Sequence, residues 1–127
     1  MQNSDQKEMQ KMQNIDELET VLYAGNLLLS SGAEIYRAEE TMHRIADAMH
    51  IEDLDAYVTN RGIFASGNVP GKGIESRIMS VPDKELNIDK IEAVNELSRE
   101  VCSNRMDLLY LKTSLQNIAN MGEQNVA

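Results

Sequence analysis

Two apolar helices meet at a corner whose sequence is SSGAEIYRAEETM, residues 30–42. Gly32 can take the left-handed backbone conformation that ends a helix, and the two serines before it can cap the helix that follows. Beyond the glycine, Glu34, Arg37 and Thr41 recur at helical spacing and lie along one line of the second helix. The pattern predicts a tight corner between two helices, with a row of polar side chains that starts at the corner.

The apolar spacing away from this corner predicts seven elements. Residues recur every three or four positions in the helical stretches, and they alternate with polar residues in the strands. A cap at Asn87 opens the third helix, and a cap at Asn104 opens a fourth that ends before Gly122. In chain order, the prediction is helices over residues 15–30 and 33–49, strands over 54–58, 63–66 and 74–81, a helix over 88–102 and the helix after Asn104.

Strands grouped between two pairs of helices predict an α+β fold, with helices covering one face of a three-stranded antiparallel sheet. A chain of 127 residues is close to the commonest domain size. We therefore predict one domain over residues 15–122, a flexible segment over residues 1–14 and a short tail over residues 123–127.

The composition restricts the partners and the compartment. A formal net charge of −9 at pH 7 repels phosphate backbones, so we expect no nucleic-acid partner. Cys102 is the single cysteine, so no internal disulfide can form and a reducing compartment fits. No stretch approaches the roughly 20 apolar residues that span a bilayer, and the N-terminus has no signal-peptide pattern. We expect a soluble, cytoplasmic chain.

The polar row at the corner has two interpretations. Glu34 and Arg37 can form an ion pair within the helix, which contributes a few tenths of a kcal/mol. Alternatively, Glu34 lies at the border of the apolar stripe, and a half-buried carboxylate there could recognise an ammonium group or act as a base. The residues alone leave both interpretations open.

Other chemistry has weaker support. Glu40 and His43 have the Glu-x-x-His spacing of di-iron helical bundles, but such a site needs a second copy, and helical geometry places His43 away from the apolar stripe. Ser98 and two other serines are candidate nucleophiles only if His43 or His50 lies beside one of them. We expect no metal ligands, no cofactor and no catalytic residues.

Several short motifs follow one another in a fixed order along the chain. They are SGAE (31–34), RxExTM (37–42), VT (58–59), GIFAS (62–66), Arg77 in the third strand and LSRE (97–100). Together they resemble the N-terminal domain of the threonine/serine exporter family over about residues 18–118. The chain departs from the family pattern at Asn60 and Arg61, where Pro and Thr are usual, and at Ala38, where Val is usual.

The resemblance implies a cytosolic domain that precedes a multi-spanning membrane portion, which exports amino acids or, in some relatives, a dicarboxylate. It implies as partners that membrane portion, on the same or a neighbouring protein, and small amino acids; a homo-oligomer is also open. It assigns functional residues to the corner and the sheet: Gly32, Glu34, Arg37, Glu39, Thr41, Thr59 and Arg77.

Three hypotheses for the function follow. The first is a regulatory or substrate-sensing domain at the cytoplasmic face of the membrane that does not transport by itself. The second is a small hydrolase, and the third is an assembly module without ligand chemistry. The tail after residue 122 is expected to lead towards the membrane portion.

Overall fold

The structure is a computed structural model that describes residues 15–103 and 107–122. Within these residues, four helices and a three-stranded sheet follow one another in the predicted α+β order. They are α1 (Glu17–Ser30), α2 (Ile35–Ala48), β1 (Glu52–Val58), β2 (Gly62–Val69), β3 (Gly73–Ser80), α3 (Ile88–Ser103) and α4 (Leu108–Ala119). The segments predicted to be flexible, residues 1–14 and 123–127, lie outside the described residues.

Helix α1 is the centre of the core. Nine of its 14 residues are buried, because it contacts α2, α3, α4 and the strands β2 and β3. The Asp16 side chain caps its start by accepting a hydrogen bond from the Glu19 N–H at 2.9 Å. Its other end is closed by Gly32, at φ +96°, in a Schellman motif: the Ala33 and Gly32 N–H groups donate to the carbonyls of Leu28 and Leu29. The predicted left-handed glycine is confirmed.

The sheet is an antiparallel meander in the order β1-β2-β3. Alternate residues of β2, including Ile63, Ala65 and Val69, are buried towards the helices. The opposite side, which we call the open face, carries a row formed by Tyr57, Phe64 and Ile78, paired across the three strands and all exposed. The prediction that helices cover one face of the sheet is confirmed.

Two predicted helix starts are wrong. Helix α2 begins at Ile35 with Glu34 as its N-cap, and the serines do not cap it, because the chain leaves the Schellman turn extended and the helix starts beyond their reach. Helix α4 begins at Leu108, where the Asp107 side chain accepts a hydrogen bond from the Tyr110 N–H at 2.7 Å. The predicted cap Asn104 lies outside the described residues. The Asn87 cap of α3 is confirmed, since its side chain accepts from the Lys90 N–H at 3.1 Å.

Candidate functional site

The segment between β3 and α3 lies directly against the corner. The Glu85 N–H donates to the Ser30 carbonyl at 2.8 Å, and the Asn87 N–H donates to the Ser31 carbonyl at 3.0 Å. These bonds satisfy carbonyls at the end of α1 that the helix itself leaves without a partner. A Cβ on Gly32 would lie 2.9 Å from Leu86 Cδ1, so this close approach requires the absence of a side chain as well as the left-handed backbone.

A cavity of about 390 Å³ opens beside this contact, and we call it the corner cavity. It is bounded by the end of α1, the start of α3 and the turn after α4. Its lining residues are Ser30, Ser31, Asp83, Glu85, Asn87, Lys90, Met121 and Gly122. The cavity therefore combines two carboxylates, one ammonium group, hydroxyl and amide groups and the N-terminus of α3. The helix N-terminus favours anions.

Glu34 and Arg37 project from the same corner but do not line the cavity. Their side chains are 64% and 50% exposed, and Arg37 Nε lies 3.5 Å from Glu34 Oε1. Of the two interpretations of the polar row, the half-buried carboxylate does not hold, because Glu34 precedes the first turn of α2 and its side chain projects into solvent. The geometry matches the intrahelical ion pair, and such exposed pairs contribute little to stability.

Thr41 belongs to the interface between α2 and α3. It is buried, and its hydroxyl donates to Asn95 Oδ1 at 3.3 Å. Beside it, the buried Ser98 hydroxyl donates to the Asn95 carbonyl at 2.8 Å and accepts from Arg44 Nη1 at 3.0 Å. Glu39, which lies on α2 like Thr41, is half-buried. Ser98 thus serves to join two helices in this geometry, and its burial gives no support to a role as nucleophile.

Thr59 organises the turn between β1 and β2. Its hydroxyl accepts from the N–H groups of Arg61 and Gly62 at 3.2 and 3.0 Å, and its own N–H donates to the Gly62 carbonyl at 2.9 Å. Two of the three positions that depart from the family pattern, Asn60 and Arg61, lie in this turn. Lys84 Nζ donates to Asn60 Oδ1 at 3.0 Å, and the Val81 N–H donates to the Arg61 carbonyl. The turn is therefore tied to the segment that lines the corner cavity.

Arg77 lies at the opposite end of α1. Its guanidinium contacts the Asp16 carboxylate, lies 3.2 Å from Glu75 Oε1 and 3.8 Å from Glu19 Oε1, and donates to the Ser76 carbonyl. Burial alone would raise the pKa of Asp16, but the Glu19 N–H and the Arg77 guanidinium together hold it below its usual value. A 14-residue helix is about 21 Å long, so Arg77 and the corner belong to different sites.

His43 and His50 lie at an open depression of about 610 Å³ between the end of α2 and the start of β1. His43 is exposed, as helical geometry predicts, and Glu40 pairs with Arg44 at 3.1 Å. Within residues 15–103 and 107–122, no group of three His, Cys, Asp or Glu residues is placed to hold a metal ion. The buried Ser98 is not among the residues that line this depression.

Comparison with protein-family models identifies the chain. Residues 19–125 match the model described as "Putative threonine/serine exporter". The chain belongs to this exporter family. No curated protein and no solved structure matched it. In the part of the chain that the structure describes, no helix combines the length and apolar character needed to cross a membrane.

The exporter-family residues singled out by the sequence motifs are spread over the fold. Gly32, Glu34 and Arg37 share the corner, Thr41 and Glu39 lie along α2, Thr59 forms a turn and Arg77 joins an ion cluster. The sequence analysis assigns no role to Asp83 and Glu85, which follow the third predicted strand and form the acidic side of the corner cavity. One local signal was available in the sequence. Asp83 and Glu85 come shortly before the Asn87 cap of α3, and the N-terminus of a helix favours nearby carboxylates.

Proposed function

We propose that this chain is a cytosolic regulatory domain of a threonine/serine exporter-type transporter and senses a small amino acid in the corner cavity. It works with a membrane-spanning portion on the same or a neighbouring protein and does not transport by itself. Membership of the exporter family supports the link to transport, and the chemistry of the cavity supports the sensing role.

The observation that carries the proposal is the match between the cavity and a hydroxyl amino acid. Asp83 and Glu85 can receive the ammonium group, while Lys90 and the start of α3 can receive the carboxylate. Ser30 and Asn87 can hydrogen-bond a side-chain hydroxyl. The cavity volume of about 390 Å³ lies within the range of small-molecule sites.

The charge of the lining favours an amino acid over a dicarboxylate. Two carboxylates and one ammonium group give the cavity a formal charge of −1, so a second carboxylate on the ligand would face Asp83 and Glu85. The repulsion between these like charges opposes binding. A zwitterion instead places each of its charges beside an opposite one.

Binding in this cavity can be communicated through the corner. The cavity wall consists of backbone that joins α1 to α3, through the bonds from Glu85 and Asn87 to Ser30 and Ser31. A ligand held between Glu85 and Lys90 would strengthen the attachment of this segment to α1. The exposed Glu34 and Arg37 stand on the outer side of the same corner, where a partner can contact them.

The test is calorimetric titration of the 127-residue chain with threonine, serine and succinate. We expect weak, saturable binding of the two amino acids, with Kd of about 1 mM, and weaker binding of succinate. The double variant Asp83→Asn, Glu85→Gln should lose at least about tenfold in affinity, because it removes the acceptors for the ammonium group. Glu92→Gln changes an exposed carboxylate on α3 outside the cavity and should bind like the native chain.

Two results would contradict the sensing role. One is the absence of saturable binding of threonine or serine up to about 20 mM, which would favour the assembly-module hypothesis. The other is equal affinity in the cavity variant and the Glu92→Gln control, which would show that the amino acid binds elsewhere.

A further inference from the structure

The outer edge of β3 is an open strand edge. Strand β3 pairs with β2 in unbroken register over its whole length, and no strand lies beyond it among the described residues. Both the N–H and the C=O of Gly62 face Thr59 on the β1 side, and Gly62 stands opposite Ser80. The backbone of Ser80 therefore points away from β2, where its carbonyl accepts a hydrogen bond from Asn26 Nδ2 of α1 at 2.7 Å. The backbones of Ile78, Ser76 and Ile74 point the same way, because backbone direction alternates along a strand.

This edge has a self-complementary sequence. Residues 74–78 read Ile-Glu-Ser-Arg-Ile, so reversing the order exchanges the acid with the base and the first isoleucine with the second. Ile74 and Ile78 lie on the open face and are each 80% exposed. Glu75 and Arg77 lie on the helix-covered side, with their side chains 25% and 32% exposed.

We propose that two copies of this chain pair β3 against β3, antiparallel, about a two-fold axis at Ser76, and so form one six-stranded sheet. In this register Ser76 faces Ser76 of the partner subunit, Glu75 faces Arg77 of the partner subunit, and Ile74 faces Ile78 of the partner subunit. The three pairs with outward-pointing backbone exchange about six hydrogen bonds. The Ser76 carbonyl, which already accepts from the Arg77 side chain, has a second lone pair for the new bond.

Side-chain chemistry selects this register. Directly opposite residues of unlike charge or of apolar character stabilise an antiparallel pair, whereas like charges oppose it. Glu75 and Arg77 provide two such charge pairs across the axis, next to the pair that they already form within the strand at 3.2 Å. On the open face, the isoleucine pairs extend the row of Tyr57, Phe64 and Ile78 into the second subunit.

The other edge of the sheet is protected against such pairing. Strand β1 carries Glu52, Asp53 and Asp55, its register is interrupted between Glu52 and Asp55, and Asp53 has φ +54°. Acidic side chains and bulges are devices that prevent edge-to-edge association. Two copies joined through β1 would oppose carboxylates, so the β3 edge is the one that can accept a second copy.

The interface is small. The five paired residues extend over about 17 Å, and the area that they bury is well below the roughly 800 Å² per partner of a stable complex. The two subunits also carry a formal charge of −9 each, which is screened beyond about 8 Å at physiological salt. The dimer should therefore be weak and concentration-dependent.

Cross-linking tests the register directly. In a Cys102→Ser background, which leaves no other thiol, Ser76→Cys places two thiols opposite each other at the axis, at a Cα separation of about 5.5 Å that a disulfide can span. Ser80→Cys is the matched control on the same exposed edge, and its two copies would lie about 26 Å apart. Oxidation should convert the Ser76→Cys chain to a covalent dimer at least about tenfold faster than the Ser80→Cys chain.

Sedimentation of the 127-residue chain, from about 5 µM to 1 mM, tests the dimer itself. We expect reversible dimerisation, weakened at least about tenfold by Ile78→Lys, which places a charge opposite Ile74 of the partner subunit. Leu109→Lys changes another exposed apolar residue, 63% exposed on α4, and should dimerise like the native chain. A monomer at all concentrations, equal cross-linking at both cysteine positions, or a dimer that is unaffected by Ile78→Lys would overturn the proposal.

Discussion

Replacing Gly25 with alanine tests a close approach between elements of the core. Gly25 lies in the middle of α1, where that helix meets both α2 and β2. A Cβ added there would lie 2.5 Å from Met42 Sδ, 2.9 Å from Met42 Cγ and 3.3 Å from Ile63 Cδ1. Two effects oppose each other: alanine favours the helix, while the added methyl group overpacks the core.

The magnitudes decide the sign. Gly→Ala in an exposed helix interior stabilises by about 1 kcal/mol. Atoms in contact normally lie about 3.5–4 Å apart, so the Met42 side chain would have to move by about 1 Å. Met42 and Ile63 are almost completely buried, which leaves little room for that movement and places the overpacking cost at about 3 kcal/mol. We expect Gly25→Ala to lower the free energy of unfolding by about 2 kcal/mol.

Urea denaturation followed by circular dichroism measures this change, and thermal unfolding should show a decrease in Tm of roughly 6–10 °C. Met42→Ala alone should cost about 2–5 kcal/mol by leaving a cavity. In the Gly25→Ala background it should cost at least about 1 kcal/mol less, because the new methyl group occupies part of that cavity. A Gly25→Ala chain as stable as the native one would show that helix propensity outweighs the contact and would refute this reasoning.

Two further predictions use the same measurements. Gly32→Ala should lower the free energy of unfolding by about 1–3 kcal/mol, because the backbone at φ +96° strains any other residue. Adding Leu86→Ala should relieve only the part of this cost that comes from the contact between the new Cβ and Leu86. A Gly32→Ala chain as stable as the native one would contradict the Schellman turn. Asp16 has a folded pKa below its usual value of about 3.9, so its stabilisation is present above about pH 4 and is lost as the pH falls through the folded pKa. The difference in Tm between the native chain and Asp16→Asn, measured from about pH 2 to 6, should therefore shrink at the acidic end, and a constant difference would show that the contact with Arg77 does not depend on the charge of Asp16.

The elements and their order follow from the sequence because their signals are local. A Schellman glycine, an Asn cap and apolar spacing each act within about four residues, so Gly32, Asn87 and the period of two in the strands could be interpreted without tertiary structure. The same locality explains the misplaced helix starts. Several polar residues near a boundary can serve as a cap, and packing selects Glu34 and Asp107.

The candidate site was not predictable in this way. The resemblance assigned functional residues to the corner and the sheet, yet α1 separates Arg77 from the corner and the helix start leaves Glu34 in solvent. The corner cavity joins residues from the ends of three helices: Ser30, Lys90 and Gly122 are far apart in the chain.

Sequence by itself determined the α+β order, the corner at Gly32 and the resemblance to the exporter family. Only the tertiary structure decided which polar side chains face one another, which edge of the sheet stays open and which carboxylates line a cavity. The physical reason is that propensities and caps depend on neighbouring residues, whereas a cavity or a strand edge depends on how distant elements pack around α1.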